Sequence, residues 1–145
     1  MTQDQPLDLS LFGDAHVERY QATNGEEGYL WNGAPCLILT TIGRRTGKTY
    51  RHALIFGEDD GRYLLVASQG GAPDHPNWYK NLTANPEVEL QVRSDVFIAT
   101  AHSASAEEKA VLWPIMTKIW PSYDKYQERT DRAIPLVVLE RDRIG

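Results

Sequence analysis

The feature that most constrains the fold is a strong hairpin signal in the middle of the chain. Asp60-Gly61 joins two segments rich in aromatic and β-branched residues, 50–56 and 62–68. Asp-Gly favours the two-residue turn whose twist matches that of antiparallel strands. The apolar run 36–41, CLILTT, is typical of a buried strand, and a basic loop separates it from 50–56. This part of the chain is therefore predicted to form antiparallel strands.

A second hairpin and a closing strand extend this pattern. Residues 87–93 and 96–102 alternate apolar and polar side chains around Ser94-Asp95, and 134–140, IPLVVLE, predicts a last strand. Helical segments interrupt the hairpins. This order favours a small barrel or curled antiparallel sheet over a parallel α/β fold.

Two short helices are predicted in the first part of the chain. Residues 14–22 are expected to form one helix, with Asp14 as its cap. The second helix is expected between Pro76, which suits a first turn, and Pro86, which stops it.

A longer helical segment, 103–130, precedes the last strand. Ser105 and Glu108 have the spacing of a capping box, while Pro114 and Pro121 are expected to kink or divide the helix. An apolar face at helical spacing comprises Leu112, Ile115, Met116, Ile119, Trp120 and Tyr123.

The composition, with 41% hydrophobic and 24% charged residues, is typical of a soluble globular protein. The 145 residues are predicted to form a single domain, with 1–13 as a flexible N-terminal tail. A net charge of −5 disfavours nucleic acid as a partner. The lone cysteine, Cys36, predicts a buried thiol and a cytoplasmic setting. No apolar run could span a membrane, but the apolar residues within 7–12 would allow peripheral contact with one.

The basic segment 40–51, TTIGRRTGKTYR, resembles a nucleotide-binding P-loop but is one residue too short. Three residues separate Gly43 from Gly47, where a P-loop has four, and a strand follows where a P-loop opens a helix. Glycines at positive φ can turn backbone N–H groups toward an anion, and arginine adds forked hydrogen bonds. The segment is therefore either an anion-binding loop or a solvated basic turn. Its cations are Arg44, Arg45, Lys48 and Arg51.

A second informative segment is 67–86, ASQGGAPDHPNWYKNLTANP. The adjacent Gly70 and Gly71 would let the backbone approach a flat ring, whose edge the Ser68 hydroxyl could bond. Trp78 and Tyr79 either pack on such a ring or anchor the helix to the core.

Residue patterns for other chemistry are missing from the sequence. Its four histidines lack metal-ligand spacing, so no metal is predicted, and no pattern indicates a nucleophile for acyl transfer. An anion loop combined with a ring-sized glycine loop suggests a redox cofactor with a planar ring and a phosphate tail.

These segments resemble the deazaflavin-dependent nitroreductase family of actinobacteria. The matching pieces are LTTIGRRTGKTYRHAL, YLLVASQGGAPDHPNWYKNLTANPEVEL and YQERTDRAIPLVVL. The resemblance implies an α+β, mainly β fold, namely a six- to seven-stranded antiparallel split β-barrel of the flavin-binding type with peripheral helices. It implies coenzyme F420, an 8-hydroxy-5-deazaflavin with a phosphate and an oligoglutamate tail, as the cofactor.

The resemblance also assigns residues to the cofactor. Those implied to bind the anionic tail are Arg44, Arg45, Thr46, Gly47, Lys48 and Arg51. Those implied to lie at the deazaflavin ring are Ser68, Gln69, Gly70, Gly71, Pro76, Trp78 and Tyr79. Family members often carry lysine or asparagine at the position of Gln69.

Two tyrosines, Tyr123 and Tyr126, match family tyrosines that border the substrate pocket, where they would orient the acceptor or donate a proton. A third family tyrosine would fall at Arg129, so the chain departs from the pattern of nitroimidazole-activating members. Tyr123 also lies on the apolar face and could be a core residue.

The function implied is hydride transfer from reduced coenzyme F420 to an electron-poor acceptor such as an activated enone, an unsaturated lactone, a quinone or a nitroaromatic compound. One alternative is an oxidoreductase that uses flavin mononucleotide on the same barrel. Another is a non-catalytic protein that carries the deazaflavin. The protein is expected to be a monomer or weak dimer.

Overall fold

The fold is a curled antiparallel sheet with helices on its outside. A computed structural model describes residues 7–142. The strands are β1 (Leu30–Trp31), β2 (Ala34–Ile42), β3 (Thr49–Ile55), β4 (Gly57–Asp59), β5 (Arg62–Val66), β6 (Glu87–Val92), β7 (Asp95–Ser103) and β8 (Leu136–Arg141). The helices are α1 (Asp14–Thr23), α2 (Asn77–Ala84), α3 (Ala106–Ile119) and α4 (Ser122–Glu128), with a 3-10 turn at Gln69–Gly71.

The sheet closes on itself through the continuous stretch that holds β3 and β4. The strand order is β1-β2-β6-β7-β8-β5-β4, and β3 pairs with β2. Only the buried Phe56 separates β3 from β4, so one stretch of chain pairs with β2 through its first half and with β5 through its second half. All strand pairs are antiparallel. The prediction of an antiparallel, mainly β barrel with peripheral helices is confirmed.

Strands that are buried on both faces explain the continuous apolar runs in the sequence. In β2, Leu37 and Leu39 point into the barrel, while Cys36 and Ile38 pack with Tyr20 of α1. The alternation of a strand places successive side chains on opposite faces, so a helix on the outside requires both sets to be apolar.

The same arrangement recurs on the other side of the barrel. There β5 and β8 send one set of side chains inside and the other against α3 and α4. Cys36 is buried as predicted, and burial raises the pKa of its thiol to about 12, so the thiolate is suppressed.

One predicted hairpin turn is confirmed, and the other is displaced by one residue. Asp60 and Gly61 have φ of 52° and 76°, as the two-residue turn between β4 and β5 requires. The second turn is centred on Arg93-Ser94 and not on Ser94-Asp95, because Asp95 already pairs with Val92. Arg93 takes a φ of 57°, and its backbone N–H donates to the Tyr20 hydroxyl at 2.8 Å. A long-range contact therefore fixes a left-handed residue that local sequence did not indicate.

The helix ends also correct one prediction. α1 begins at Asp14 as expected, but Gly13 is the capping position and no side chain caps the helix, so Asp14 belongs to the first turn. The predicted capping box of Ser105 and Glu108 is present at the start of α3.

The two prolines of the longer helical segment have different effects. Pro121 separates α3 from α4, whereas α3 continues through Pro114. On the predicted apolar face, Leu112, Met116 and Tyr123 are buried and the other members are partly buried.

The chain before α1 contacts the short strand β1. The backbone N–H of Asp8 donates to Asn32 Oδ1 at 2.8 Å, and Trp31 Nε1 donates to the carbonyl oxygen of Leu11 at 2.7 Å. Of the predicted tail 1–13, residues 1–6 lie outside the described part of the chain. Between residues 7 and 142, no helix is long and apolar enough to cross a membrane.

Candidate cofactor and acceptor site

The basic segment forms a closed loop between β2 and β3. The backbone N–H of Gly43 donates to the carbonyl oxygen of Lys48 at 2.7 Å, and that of Gly47 donates back to Gly43 at 2.9 Å. Gly47 has a φ of 74°, which favours glycine. The Thr46 hydroxyl accepts the Lys48 N–H at 3.2 Å and lies 3.3 Å from the Tyr50 hydroxyl. The loop is therefore an ordered turn, and its hydrogen bonds fix the backbone that carries the cationic side chains.

A cavity of about 300 Å³ lies beside this loop. Its lining residues are Gly43, Arg44, Arg45, Thr46, Tyr50, His52, Asn77 and Asn81. Among residues 7–142, no carboxylate forms an ion pair with Arg44, Arg45, Lys48 or Arg51. The positive charge at this cavity is thus left for an external anion.

The six residues predicted to bind the anionic tail do not all lie together. Three of them, Arg44, Arg45 and Thr46, line the smaller cavity. Gly47 and Lys48 belong to the loop but line neither cavity, and Arg51 lines a larger cavity that also borders β3. Tyr50 and His52, the neighbours of Arg51 along β3, line the smaller cavity, and Arg51 does not.

The second predicted segment runs from the end of β5 to α2, and Arg132 holds it in place. The Arg132 guanidinium donates to the carbonyl oxygens of Ser68 at 2.7 Å, Ala72 at 2.8 Å and Ala67 at 3.2 Å. It also lies 2.8 Å from Nδ1 of His75. One side chain therefore fixes the backbone of this loop from the far end of the sequence.

The two adjacent glycines of this loop have different roles. Gly70 has a φ of 66°, and a Cβ added to it would meet open space at the larger cavity. A Cβ on Gly71 would lie 2.6 Å from the Tyr126 carbonyl oxygen and 3.0 Å from Arg129 Cβ. Gly71 is therefore required by the packing of α4 on the loop, whereas Gly70 leaves room for a ligand.

The larger cavity has a volume of about 530 Å³, and most of its lining is apolar. The predicted residues in its wall are Ser68, Gln69, Gly70, Pro76, Trp78, Tyr123 and Tyr126. Gly71 and Tyr79 line neither cavity. The Tyr79 hydroxyl instead lies 2.7 Å from Ser103 Oγ. Trp78 is buried in the core, as one of its two predicted roles requires, and it also borders the cavity.

The larger cavity is also lined by a row of aromatic residues that the sequence did not indicate. Phe12, Trp31 and Trp120 all line it, and their ring centroids lie 6.3 Å and 5.7 Å apart in succession. These residues come from the segment before α1, from β1 and from the end of α3. Because they are far apart along the chain, no local sequence pattern predicts that they meet.

The two tyrosines predicted at the acceptor side meet at this cavity. Their ring centroids lie 6.1 Å apart and the rings are nearly perpendicular. The Tyr126 hydroxyl accepts a hydrogen bond from Trp120 Nε1 at 3.4 Å, which leaves its own proton free to donate. Burial raises the pKa of Tyr123 well above its usual value, so its hydroxyl stays protonated.

His52 and Asn77 line both cavities, so the two spaces adjoin. His52 Nδ1 is buried without a hydrogen-bond partner among the described residues. Burial lowers the pKa of this imidazole, against a smaller opposing influence from Asp14, and favours its neutral form. A neutral imidazole with Nδ1 enclosed can offer Nε2–H to a ligand that crosses from one cavity to the other.

These features fit a cofactor with a flat ring and an anionic tail. The larger cavity is mostly apolar and has open space at Gly70, while the smaller one carries arginines without ion-pair partners. Sequence reading missed His52, Asn77, Asn81 and Arg132. A usable signal existed for one pair, since Asn77 and Asn81 are four apart on a helix and must share a face.

Comparison with known proteins identifies the family of this chain. The profile of a family described as F420H2-dependent quinone reductase matches residues 14–141. A Mycobacterium tuberculosis protein named F420H2-dependent quinone reductase is 42% identical over 130 residues, which cover 87% of each chain.

Two solved structures are also similar. One, described as an F420H2-dependent reductase, has a TM-score of 0.68 and 39% identity, and the match covers 73% of this chain and 94% of that one. The other, described as a domain-swapped dimer, has a TM-score of 0.71 and 36% identity, with 86% and 93% covered. The chain therefore belongs to the F420H2-dependent quinone reductase family of split-barrel oxidoreductases, whose cofactor is coenzyme F420.

Proposed function

We propose that this protein reduces quinones, and that the acceptor occupies the larger cavity against the cofactor ring. The observation that carries the proposal is the adjacency of the two cavities: a cationic one beside Arg44 and Arg45, and an apolar one bordered by Tyr123 and Tyr126. The names of the curated relatives support the choice of a quinone among electron-poor acceptors.

The tail of the cofactor is assigned to the smaller cavity. Arg44 and Arg45 would form charge-assisted hydrogen bonds with its phosphate and carboxylates, and the Thr46 hydroxyl would add a neutral one. Gly47, Lys48 and Arg51 contribute through the loop turn or through their charge, since they do not line this cavity. Because Arg51 borders the larger cavity, we expect it to act on the ring or the acceptor and not on the far end of the tail.

The ring is assigned to the segment 67–76 between β5 and α2, which Arg132 holds in place and which we call the ring loop. Ser68, Gln69 and Gly70 border the larger cavity there, with Pro76 and Trp78 behind them. When bound, the reduced coenzyme supplies a hydride from C5 of its deazaflavin. The contribution of the protein is to orient ring and acceptor face to face and to exclude water from the space between them.

Tyr126 is assigned to the acceptor carbonyl. Its hydroxyl accepts from Trp120 and keeps its proton available, so it can donate a hydrogen bond to a quinone oxygen that gains negative charge. Tyr123 is held protonated by burial and can serve the same oxygen or the second one.

Arg129, just after α4, contacts both the backbone at Gly70 and the Tyr126 ring. Its guanidinium donates to the carbonyl oxygen of Gly70 at 3.2 Å and lies 5.4 Å from the centre of the Tyr126 ring. An arginine that ties α4 to the ring loop thus replaces the third tyrosine of the nitroimidazole-activating pattern.

The test is an anaerobic assay in which the purified protein, reduced coenzyme F420 and an acceptor are mixed and the deazaflavin absorbance is followed. Menadione, an enone, a nitroimidazole and buffer alone are the acceptors. We expect menadione to be reduced fastest. Faster reduction of the enone or the nitroimidazole would overturn the assignment, and tighter binding of flavin mononucleotide than of coenzyme F420 would overturn the cofactor assignment.

The matched variants for this assay are Tyr126→Phe and Tyr79→Phe. We expect Tyr126→Phe to lower kcat by about tenfold, less than is typical for loss of a general acid because water can supply a proton, and to leave cofactor affinity unchanged. Tyr79→Phe removes a hydroxyl that contacts Ser103 and lines neither cavity, so turnover should be retained. Equal effects of the two changes would exclude a specific role for Tyr126.

The assembly and the location of the protein remain predictions. The similarity to a structure described as a domain-swapped dimer favours a dimer over a monomer, which light scattering would test. Leu7, Leu9 and Phe12 are exposed and support peripheral membrane contact from the cytoplasm, although Leu7 and Phe12 also line the larger cavity. A chain that does not co-sediment with lipid vesicles would overturn that contact.

A further inference from the structure

Asn81 joins the cationic loop to the helix that borders both cavities. It lies on α2, its side chain is buried, and it lines the smaller cavity. Its Oδ1 accepts from Arg44 Nη1 at 2.8 Å and from the Arg44 backbone N–H at 3.3 Å. Its Nδ2 donates to Thr41 Oγ1 at 3.5 Å. One amide therefore holds both the end of β2 and the first arginine of the loop.

The orientation of this amide follows from its partners. Arg44 offers only donors, so the oxygen of Asn81 must face it and the nitrogen must face the Thr41 hydroxyl. Reversing the amide would place N–H groups against a guanidinium. The amide is thus locked, and it fixes the direction in which Arg44 extends.

An uncharged acceptor at this position has an electrostatic consequence. A carboxylate at the same distance would pair with Arg44 and cancel its charge, whereas an amide oxygen orients the guanidinium and leaves the charge in place. No carboxylate in the described part of the chain forms an ion pair with Arg44 or Arg45. Asn81 thus combines orientation of Arg44 with retention of its charge.

The same helix also reaches the ring side of the site. Asn77, one turn before Asn81, lines both cavities, and Trp78 borders the larger one. Residues four apart share a helix face. One turn of α2 therefore connects the wall of the larger cavity to the hydrogen bonds between Asn81 and Arg44.

We propose that Asn81 is a positioning residue that aims Arg44 at the anionic tail of the cofactor without neutralising it. The proposal rests on the assignment of coenzyme F420 to this site and goes beyond it by giving a residue outside the loop control over the charge inside it. A purely structural Asn81 would satisfy the Arg44 backbone N–H and have no electrostatic role.

The experiment compares Asn81→Asp with Asn85→Asp. Asn85 lies at the C-terminal end of the same helix, and its Nδ2 contacts the carbonyl oxygen of Ile42 at 3.5 Å, so the control adds an equal charge without reaching Arg44. Binding of oxidised coenzyme F420 is measured by fluorescence, and so is binding of the 8-hydroxy-5-deazaflavin with its ribityl chain alone, which lacks the phosphate and glutamates.

We expect Asn81→Asp to weaken binding of coenzyme F420 by about tenfold or more, because a charge-assisted hydrogen bond to the tail is lost. The salt dependence of binding should fall as well. Affinity for the tail-less deazaflavin should stay within about threefold of wild type, and Asn85→Asp should have little effect on either ligand. Equal loss of both ligands would assign Asn81 a structural role and overturn the proposal, as would unchanged binding of the full cofactor.

A double-substitution cycle keeps the proposal testable if Asn81→Asp alters the fold. Arg44→Gln should weaken the full cofactor to a similar degree, and adding Asn81→Asp to it should have little further effect, because the charge to be neutralised is gone. If the two substitutions lowered the affinity for coenzyme F420 independently and additively, Asn81 would not act through Arg44. The readout is binding and not turnover, so failure of quinone reduction and failure of the role assigned to Asn81 are distinguishable.

Discussion

At the scale of single residues, the ring loop depends on a hydrogen bond that requires a neutral histidine. The Arg132 guanidinium can only donate, so His75 Nδ1 must accept across their 2.8 Å contact. Burial lowers the pKa of His75, the charge of Arg132 lowers it further, and Asp74 opposes both. Protonation would place two cations together at the segment that borders the larger cavity.

This arrangement predicts a pH dependence of stability. Because the pKa of His75 is lower in the folded than in the unfolded protein, the unfolded chain binds the proton first as the pH falls. The contribution of this group to stability is therefore complete above about pH 6.5 and is lost as the pH falls through the folded-state pKa. Urea unfolding at about pH 7.5 and about pH 5 measures this loss.

His75→Asn is the informative variant, because its amide oxygen can accept from Arg132 but does not titrate. We expect the loss of stability on acidification to be smaller in this variant than in wild type. Some loss remains, since burial lowers the pKa of His52 as well. An identical pH profile for both proteins would show that His75 does not titrate against Arg132.

At the scale of elements, the contact between the ring loop and α4 controls the shape of the larger cavity. Gly71 packs under the backbone of α4, whose two tyrosines border that cavity, whereas Gly70 faces open space. Local sequence indicated that both glycines serve the ligand. Only the packing of a helix more than fifty residues away separates their roles.

The matched pair Gly71→Ala and Gly70→Ala tests this contact. Both residues have positive φ, so each change costs about 1 kcal/mol of backbone strain. In Gly71→Ala, the new methyl group also meets a backbone oxygen that cannot move alone, and we expect a total loss of about 3 kcal/mol in the free energy of unfolding. Gly70→Ala should instead weaken cofactor binding with little further loss of stability. Similar denaturation midpoints for the two variants would contradict the assignment of a packing role to Gly71 and a ligand role to Gly70.

At the scale of the whole molecule, local signals predicted the fold better than the site. The Asp60-Gly61 turn, the alternating strands and the capping box act between near neighbours, so the sequence reveals them directly. The site joins distant residues. Arg132 reaches a loop about sixty positions away, and the cavity that Arg51 lines depends on the pairing of Arg51 with Thr40 across β2 and β3.

The charge of the whole molecule leads to the last prediction. It distinguishes direct contact with the cofactor tail from long-range electrostatic attraction. The chain carries a net charge of −5, so its basic loop provides a local attraction for an anion that the rest of the molecule opposes. Arg45 and Lys48 are both exposed and carry the same charge in the same loop, but only Arg45 lines the smaller cavity. Replacing either by alanine changes the net charge equally, so any difference in cofactor binding measures direct contact.

We expect Arg45→Ala to weaken binding of coenzyme F420 by about tenfold, as for the loss of a hydrogen bond to a charged group. Lys48→Ala should weaken it by less than about threefold, and raising the salt concentration should abolish that smaller effect because it is transmitted through solvent. Part of the Arg45 effect should persist at high salt. Equal losses that disappear together as salt is added would mean that the field of the loop, and not the smaller cavity, holds the tail.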